Sequence, residues 1–448
     1  MNKRILTAAF LLLCFSLSVP ALGSSASPET ISASPETASG SASAPVPLIK
    51  ASEPRSAARP LPQSLQNRTL RLDYIFSGTA STATIALDEL LSFEGWYGRS
   101  SRLDELPLRG NGQIRMQDSE SGKLLYTTSF STLFQEWQAT EEATRSVRSF
   151  ENVFLVPMPS RKAEITVELY DFRGQVSASL THTVDPKDIL IRSIGCEPMP
   201  YSVLHSGSAP NCVDIAIVGE GYSSAEDSLF LRDARATVES LLAHEPFGKM
   251  RNYLNIIAVC PPSPESGVSI PGKGIWKRTA LSSQFDTFYM ERYLTTLHLK
   301  DLHDVLAGIP YEHIIILANT DNYGGGGIYN SYTLTTAHHP AFSPVVVHEF
   351  GHSFAGLGDE YYYDDMYAPY YHAGVEPWEQ YLTTCADFSS KWEDMMNVPG
   401  VGLFEGGGYQ SKGVWRPAED CRMKTNGAPG FCPVCQRAIE RLIRFYCE

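Results

Sequence analysis

The stretch VVVHEFGHSFAGLGDEYYYDD, residues 345–365, decides how this chain is read. His352 lies four positions after His348, so on an α-helix both imidazoles stand on one face, one turn apart. Glu349 lies between them. Ser343 and Pro344 read as an N-cap followed by proline at the first helical position, which predicts a helix starting there. Histidine pairs at this spacing bind zinc through neutral ring nitrogens, although a single helical histidine more often packs in a core. The turn after the helix separates the two readings.

In the metzincin pattern HExxHxxGxxH, a glycine ends the helix in a left-handed turn and a third ligand returns to the metal three residues later. Here Gly356 is followed three residues later by Asp359, with one residue added between His352 and the glycine, giving HExxHxxxGxxD. The expected site is therefore one catalytic Zn2+ held by His348, His352 and Asp359, with the fourth position open to water. Glu349 is the general base, taking a proton from water for attack on a peptide carbonyl. Glu360 lies four residues after Gly356 and is expected to face away from the metal, supporting it as an acceptor for a histidine ring N–H.

Two further stretches bear on the site. Met423, in Cys421-Arg422-Met423-Lys424, stands where a metzincin places a methionine beneath the metal. YGGGGIYNSYTLTTA, residues 323–337, predicts either a flexible hairpin or an edge strand whose Gly326, Gly327, Ile328 and Tyr329 pair with an extended peptide substrate. His338 and His339 are additional metal candidates in a loop. Gly219-Glu220-Gly221 lacks the third glycine and the Lys-Ser/Thr of a phosphate loop and reads as a turn.

Around this core the chain divides by rhythm. It opens with Lys3 and Arg4, an apolar run and Ala21-Leu22-Gly23, the pattern of a secretory signal peptide over residues 1–23. Leucines before Cys14 argue against a lipidation site. Residues 24–66 are a Ser/Ala/Pro-rich tether that repeats SASPET and cannot build a core. Over residues 67–190 the alternating runs LRLDYIF, GQIRMQD, KLLYTTSF, NVFLVPM and AEITVELYDF predict an antiparallel β-sandwich. No ligand-like cluster lies before residue 191, so tether and sandwich are expected to position the enzyme without touching its chemistry. Over residues 191–448 the rhythm changes: VDIAIVG, LNIIAVC and HIIILAN read as buried strands. A helix capped by Ser223-Ser224-Ala225-Glu226 and a second helix over FYMERYLTTLHLKDLHDVL alternate with them. The fold class is α+β and multidomain, a β-sandwich followed by a metzincin-like α/β protease domain.

Composition bounds the partners. With 43% hydrophobic and 11% aromatic residues the chain can bury substantial cores, and its net charge of −14 argues against nucleic acid or an anionic membrane surface. No transmembrane segment is expected in the mature chain. Once Cys14 leaves with the signal peptide, an even number of cysteines remains, all beyond residue 195, for which disulfides are the default in an exported protein. Cys432-Pro-Val-Cys435 has no second CxxC to complete a zinc ribbon.

VDIAIVGEGYSSAED (213–227), YGGGGIYN (323–330), HEFGHSFAGLGDEY (348–361), and CRM (421–423) with FCPVC (431–435) resemble the bacterial IgA-peptidase family of zinc metallopeptidases. The likeness covers roughly residues 191–448, and the β-rich region before it looks similar to the domain that accompanies this unit in many members. The resemblance implies an exported endopeptidase, periplasmic, surface-bound or secreted, with protein or peptide substrates, ligands His348, His352 and Asp359, and Glu349 as catalyst. The family's name comes from one substrate and does not carry it to this chain. Thr425 stands where astacin-like relatives place a tyrosine, which leaves the oxyanion-stabilising residue unassigned. Two rivals are a non-catalytic adhesin or glycan-binding protein on the same fold, which would have no need of Glu349, and a cell-wall peptide amidase, which would have a closed pocket.

Overall fold

A computed structural model describes residues 49–50, 60–195, 200–363 and 371–448. The signal peptide, most of the tether, Cys196 and the Asp364-Asp365 pair lie outside the described residues.

In the N-terminal region each alternating run forms a strand, because period-two patterning gives one apolar face. Leu65–Thr79, Thr82–Glu94 and Arg148–Pro159 make one sheet, extended by Arg192–Ser193. Leu124–Phe130, Gly112–Asp118, Ala163–Tyr170 and Val176–Val184 make a second, wholly antiparallel one. Their buried faces meet: Phe130 of the second sheet and Phe154 of the first have ring centroids 4.3 Å apart. A short helix, α1 (Leu133–Gln138), is capped by Thr132 and buries Phe134 and Trp137 in the same core.

The C-terminal region is built on a seven-stranded mixed sheet. Val213–Glu220 lies inside it, parallel to Leu254–Val259 on one side and His313–Ala318 on the other. Tyr332–Thr336 continues in parallel, and Gly325–Ile328 closes the edge as an antiparallel hairpin partner. Every residue of Val213–Glu220 is buried, as expected of a parallel strand covered on both faces. One face, with Ile215, Ile217, Ile256 and Leu317, packs against α2 (Asp227–Leu242), α4 (Phe342–Ala355) and α5 (Pro433–Cys447). The other, with Ala216, Val218, Ile314 and Ile316, shares a core with Tyr74, Phe154 and Val156 of the N-terminal sheets. The first region thus serves as the second cover of the central sheet. Polar bonds fix it there: Arg71 donates to Asp73 and to Asp304 of α3 (Leu299–Val305), and Asn330 donates to the Ser129 carbonyl.

Two local expectations are corrected. The segment read as a helix from Phe288 is α-helical only over Leu299–Val305, with a lone 3-10 turn at Thr287–Tyr289. Phe288 and Tyr289 have φ of 54° and 64°, and residues 284–295 bridge to each other and to the sheet edge, so their apolar spacing reflects burial under the N-terminal region. Helix α4 begins at Phe342, earlier than Ser343-Pro344 suggested. Pro344 sits in its first turn, where the missing N–H has no intrahelical acceptor to lose.

Candidate metal centre

Helix α4 carries both histidines on the face turned toward the segment after it. Gly356 ends the helix at φ 58°, ψ 32°, a left-handed conformation that costs glycine little, and the backbone reverses so that Asp359 comes back over the last turn. His348 Nε2 lies 3.1 Å and His352 Nε2 3.4 Å from Asp359 Oδ1, and the two nitrogens are 3.0 Å apart. A tetrahedral zinc ion with bonds of about 2.0 Å spaces such ligand atoms by about 3.3 Å.

The proton inventory of this triangle is the telling feature. His348 Nδ1 lies 2.9 Å from the Arg422 carbonyl, and His352 Nδ1 pairs with the Leu357 carbonyl. A carbonyl only accepts, so in each neutral ring Nδ1 is the N–H and Nε2 presents a lone pair. Asp359 Oδ1 is buried without a donor. Three acceptors therefore converge on one point, which requires a cation. Burial alone would lower His352, yet Asp359, with Glu349 and the Leu357 carbonyl adding to it, raises the ring to about 9. Burial likewise pushes Asp359 up, but the two histidines hold it well below the usual carboxylate range. The residues fit a divalent metal.

Glu349 offers a carboxylate oxygen within 4.8 Å of the imidazole nitrogens, close enough to reach a water held at the centre. Burial raises its carboxyl, the two histidines oppose that, and Asp359 adds to it, which suits a group that must accept and release a proton. Met423 is fully buried, with its sulfur against Gly351 of α4 between the histidine turns. Gly325–Ile328 runs along α4, and a Cβ on Gly327 would lie 2.3 Å from the Glu349 carbonyl oxygen, so only glycine allows this approach. Gly326, Gly327, Ile328 and Tyr329 line the same cleft as Glu349 and His352.

Some placements differ from the sequence reading. Glu360 does not meet a histidine N–H, since backbone carbonyls take both. It turns instead into a buried group of cysteines. His338 is held by Asp233 at 2.7 Å and His339 Nδ1 accepts from the Ala341 N–H, so neither joins the centre.

Other residues at the site have no motif to announce them. Tyr409 donates to Asp359 Oδ2 at 2.5 Å. Glu136 of α1 accepts from the Tyr293 hydroxyl and lines the cleft, its carboxyl pushed up to about 7 by burial, with the charges of Glu349 and Asp359 adding to the effect. The N-terminal region, expected to stand apart from the chemistry, thus supplies part of the cleft wall. Tyr409 is brought in at the start of the strand Tyr409–Arg416 and Glu136 by α1 of the docked N-terminal region, and no local spacing marks them.

A model of the family described as IgA Peptidase M64 matches residues 202–399 and 396–443, more than half of the chain, and a model of the peptidase M64 N-terminus matches residues 62–181. The chain belongs to the IgA peptidase M64 family. It is by that membership a metallopeptidase, a hydrolase with protein substrates. No curated protein matches it. Among the described residues of this M64 peptidase, no helix is long and apolar enough to cross a membrane.

Proposed function

We propose that this M64 peptidase is an exported zinc endopeptidase in which His348, His352 and Asp359 hold one zinc ion and Glu349 is the general base. The observation that supports the reading is the convergence of three acceptor atoms, Nε2 of the partly buried His348 and His352 and Oδ1 of the buried Asp359, on one point. Bound there, zinc would polarise a peptide carbonyl and acidify a water. Glu349 would take a proton from the attacking water as its oxygen bonds to the carbonyl carbon, and hand that proton to the amine nitrogen as the C–N bond breaks.

The N-terminal pair of sheets is read as a β-sandwich spanning residues 67–190, and the unit over residues 191–448 as metzincin-like. Met423 beneath α4 and Gly356 ahead of Asp359 support that reading. Residues 1–23 are a signal peptide and residues 24–66 a tether, which makes the mature protein periplasmic, surface-bound or secreted. A cleft running past the edge strand Gly325–Ile328 suits an extended peptide better than a small amide.

The test is Glu349→Gln. The variant keeps its zinc and loses turnover on a peptide library by about 10²- to 10⁴-fold, as loss of a general base does. A variant that loses zinc together with activity would make Glu349 a ligand and remove the base from this mechanism.

A further inference from the structure

A second set of metal-ligating side chains converges behind the first. Glu360, Cys421, Cys432 and Cys435 each bring one oxygen or sulfur to within 4.8 Å of the others, and all four residues are buried. Cys421 Sγ and Cys435 Sγ are 3.8 Å apart, and Cys435 Sγ is 3.4 Å from Glu360 Oε1. A tetrahedral ion with bonds of about 2.3 Å to sulfur and about 2.0 Å to oxygen spaces its ligands by about 3.8 Å and about 3.5 Å. A disulfide would need about 2.05 Å.

The carboxylate supplies an independent sign. Glu360 is fully buried, and its Oε2 has no hydrogen-bond partner. A carboxylate left so is costly unless a cation faces it. The surroundings also favour thiolates. The Cys432 N–H points at Cys421 Sγ at 3.2 Å and the Cys435 N–H at Cys432 Sγ at 3.5 Å. Cys432 caps the N-terminus of α5, where a helix favours negative charge, and Arg416 and Lys424 act on Glu360 from nearby.

We propose that Glu360, Cys421, Cys432 and Cys435 bind a second, structural zinc ion. Three thiolates and one carboxylate close the tetrahedron and leave no position for water, and soft sulfur selects zinc over magnesium or calcium. Cys432-Pro-Val-Cys435 thus finds its missing partners in Cys421 and Glu360. The site braces the catalytic centre from behind. Glu360 comes directly after Asp359 and donates its N–H to the Met423 carbonyl, and Arg422, between Cys421 and Met423, gives its carbonyl to His348. The inference stands on thiol and carboxylate geometry and does not depend on Glu349 being a base.

The full chain, purified without chelator, is analysed for zinc by elemental mass spectrometry, and unreduced peptides are mapped for disulfides. Two zinc ions per chain are expected, with Cys421, Cys432 and Cys435 unlinked and reactive to a thiol reagent only after chelation in denaturant. His348→Ala/His352→Ala keeps one zinc, and Glu360→Gln or Cys435→Ser loses the other. Cobalt-loaded wild type needs no variant to fold, and it shows a sulfur-to-cobalt charge-transfer band that persists in the double-histidine variant. A His348→Ala/His352→Ala variant that holds no zinc, a disulfide among the three cysteines, or a cobalt form without that band overturns the proposal, whereas a wild-type chain with a single zinc that survives the double-histidine change counts against the catalytic site alone.

Discussion

Replacing Tyr409 by phenylalanine removes one hydroxyl from the proposed metal centre and leaves His348, His352 and Asp359 themselves unchanged. That hydroxyl donates to Asp359 Oδ2 at 2.5 Å, while Oδ1 faces the two histidines. Asp359 is only 3% exposed, so water is poorly placed to take over the lost donor. A hydrogen bond to an ionised group contributes about 1.5–3 kcal/mol. If the bond serves mainly to hold Asp359 ready for metal, that energy appears as weaker zinc binding by about 10- to 100-fold, the usual range for changes just behind the ligands. The ring stays packed edge-on against Tyr361 at 5.4 Å, so the metal-free chain should unfold at nearly the wild-type temperature. Zinc affinity is read by competition with a chromophoric chelator, beside thermal unfolding of the metal-free protein. Unchanged zinc affinity in Tyr409→Phe would refute the reasoning.

The packing of the central sheet sets two more outcomes. A chain beginning near Ile191 loses the cover over Ala216, Val218, Ile314 and Ile316, so it should be aggregated or without a cooperative unfolding transition by circular dichroism. A soluble, cooperatively folded truncation would show that the two regions are independent. Asp214, 2% exposed in the central strand, has its carboxyl pushed up to about 7 by burial against the opposing hydrogen bond from Asn255. Because the folded value lies above the unfolded one, its stabilising effect is complete below about pH 4 and lost as pH rises through 7. Asp214→Asn should therefore gain stability on wild type by up to about 4 kcal/mol between those limits. Denaturant midpoints of the pair that stay parallel from pH 4 to 8 would contradict this.

How much of the site could be read in advance depends on the range of the interactions. His348, Glu349 and His352 are related by one helical turn, and Gly356 to Asp359 by one reversal, both set by local backbone geometry. The alternating runs were legible as strands for the same reason. The helix expected from Phe288 failed because a docked neighbouring region, which no window of sequence contains, buries that segment.

Sequence alone determined what repeats within a few residues: the face of α4 that carries both histidines, the turn after it, and strands with one apolar side. Meetings across long separations came from the folded chain. The Tyr409 bond to Asp359 spans 50 residues, the Glu360 contact with Cys435 spans 75, and the Glu136 bond to Tyr293 spans 157. In each pair the two partners sit on different elements whose relative placement is set by packing. Hydrophobic burial, which drives that packing, is non-directional and leaves no spacing in the chain from which the pairing could be read.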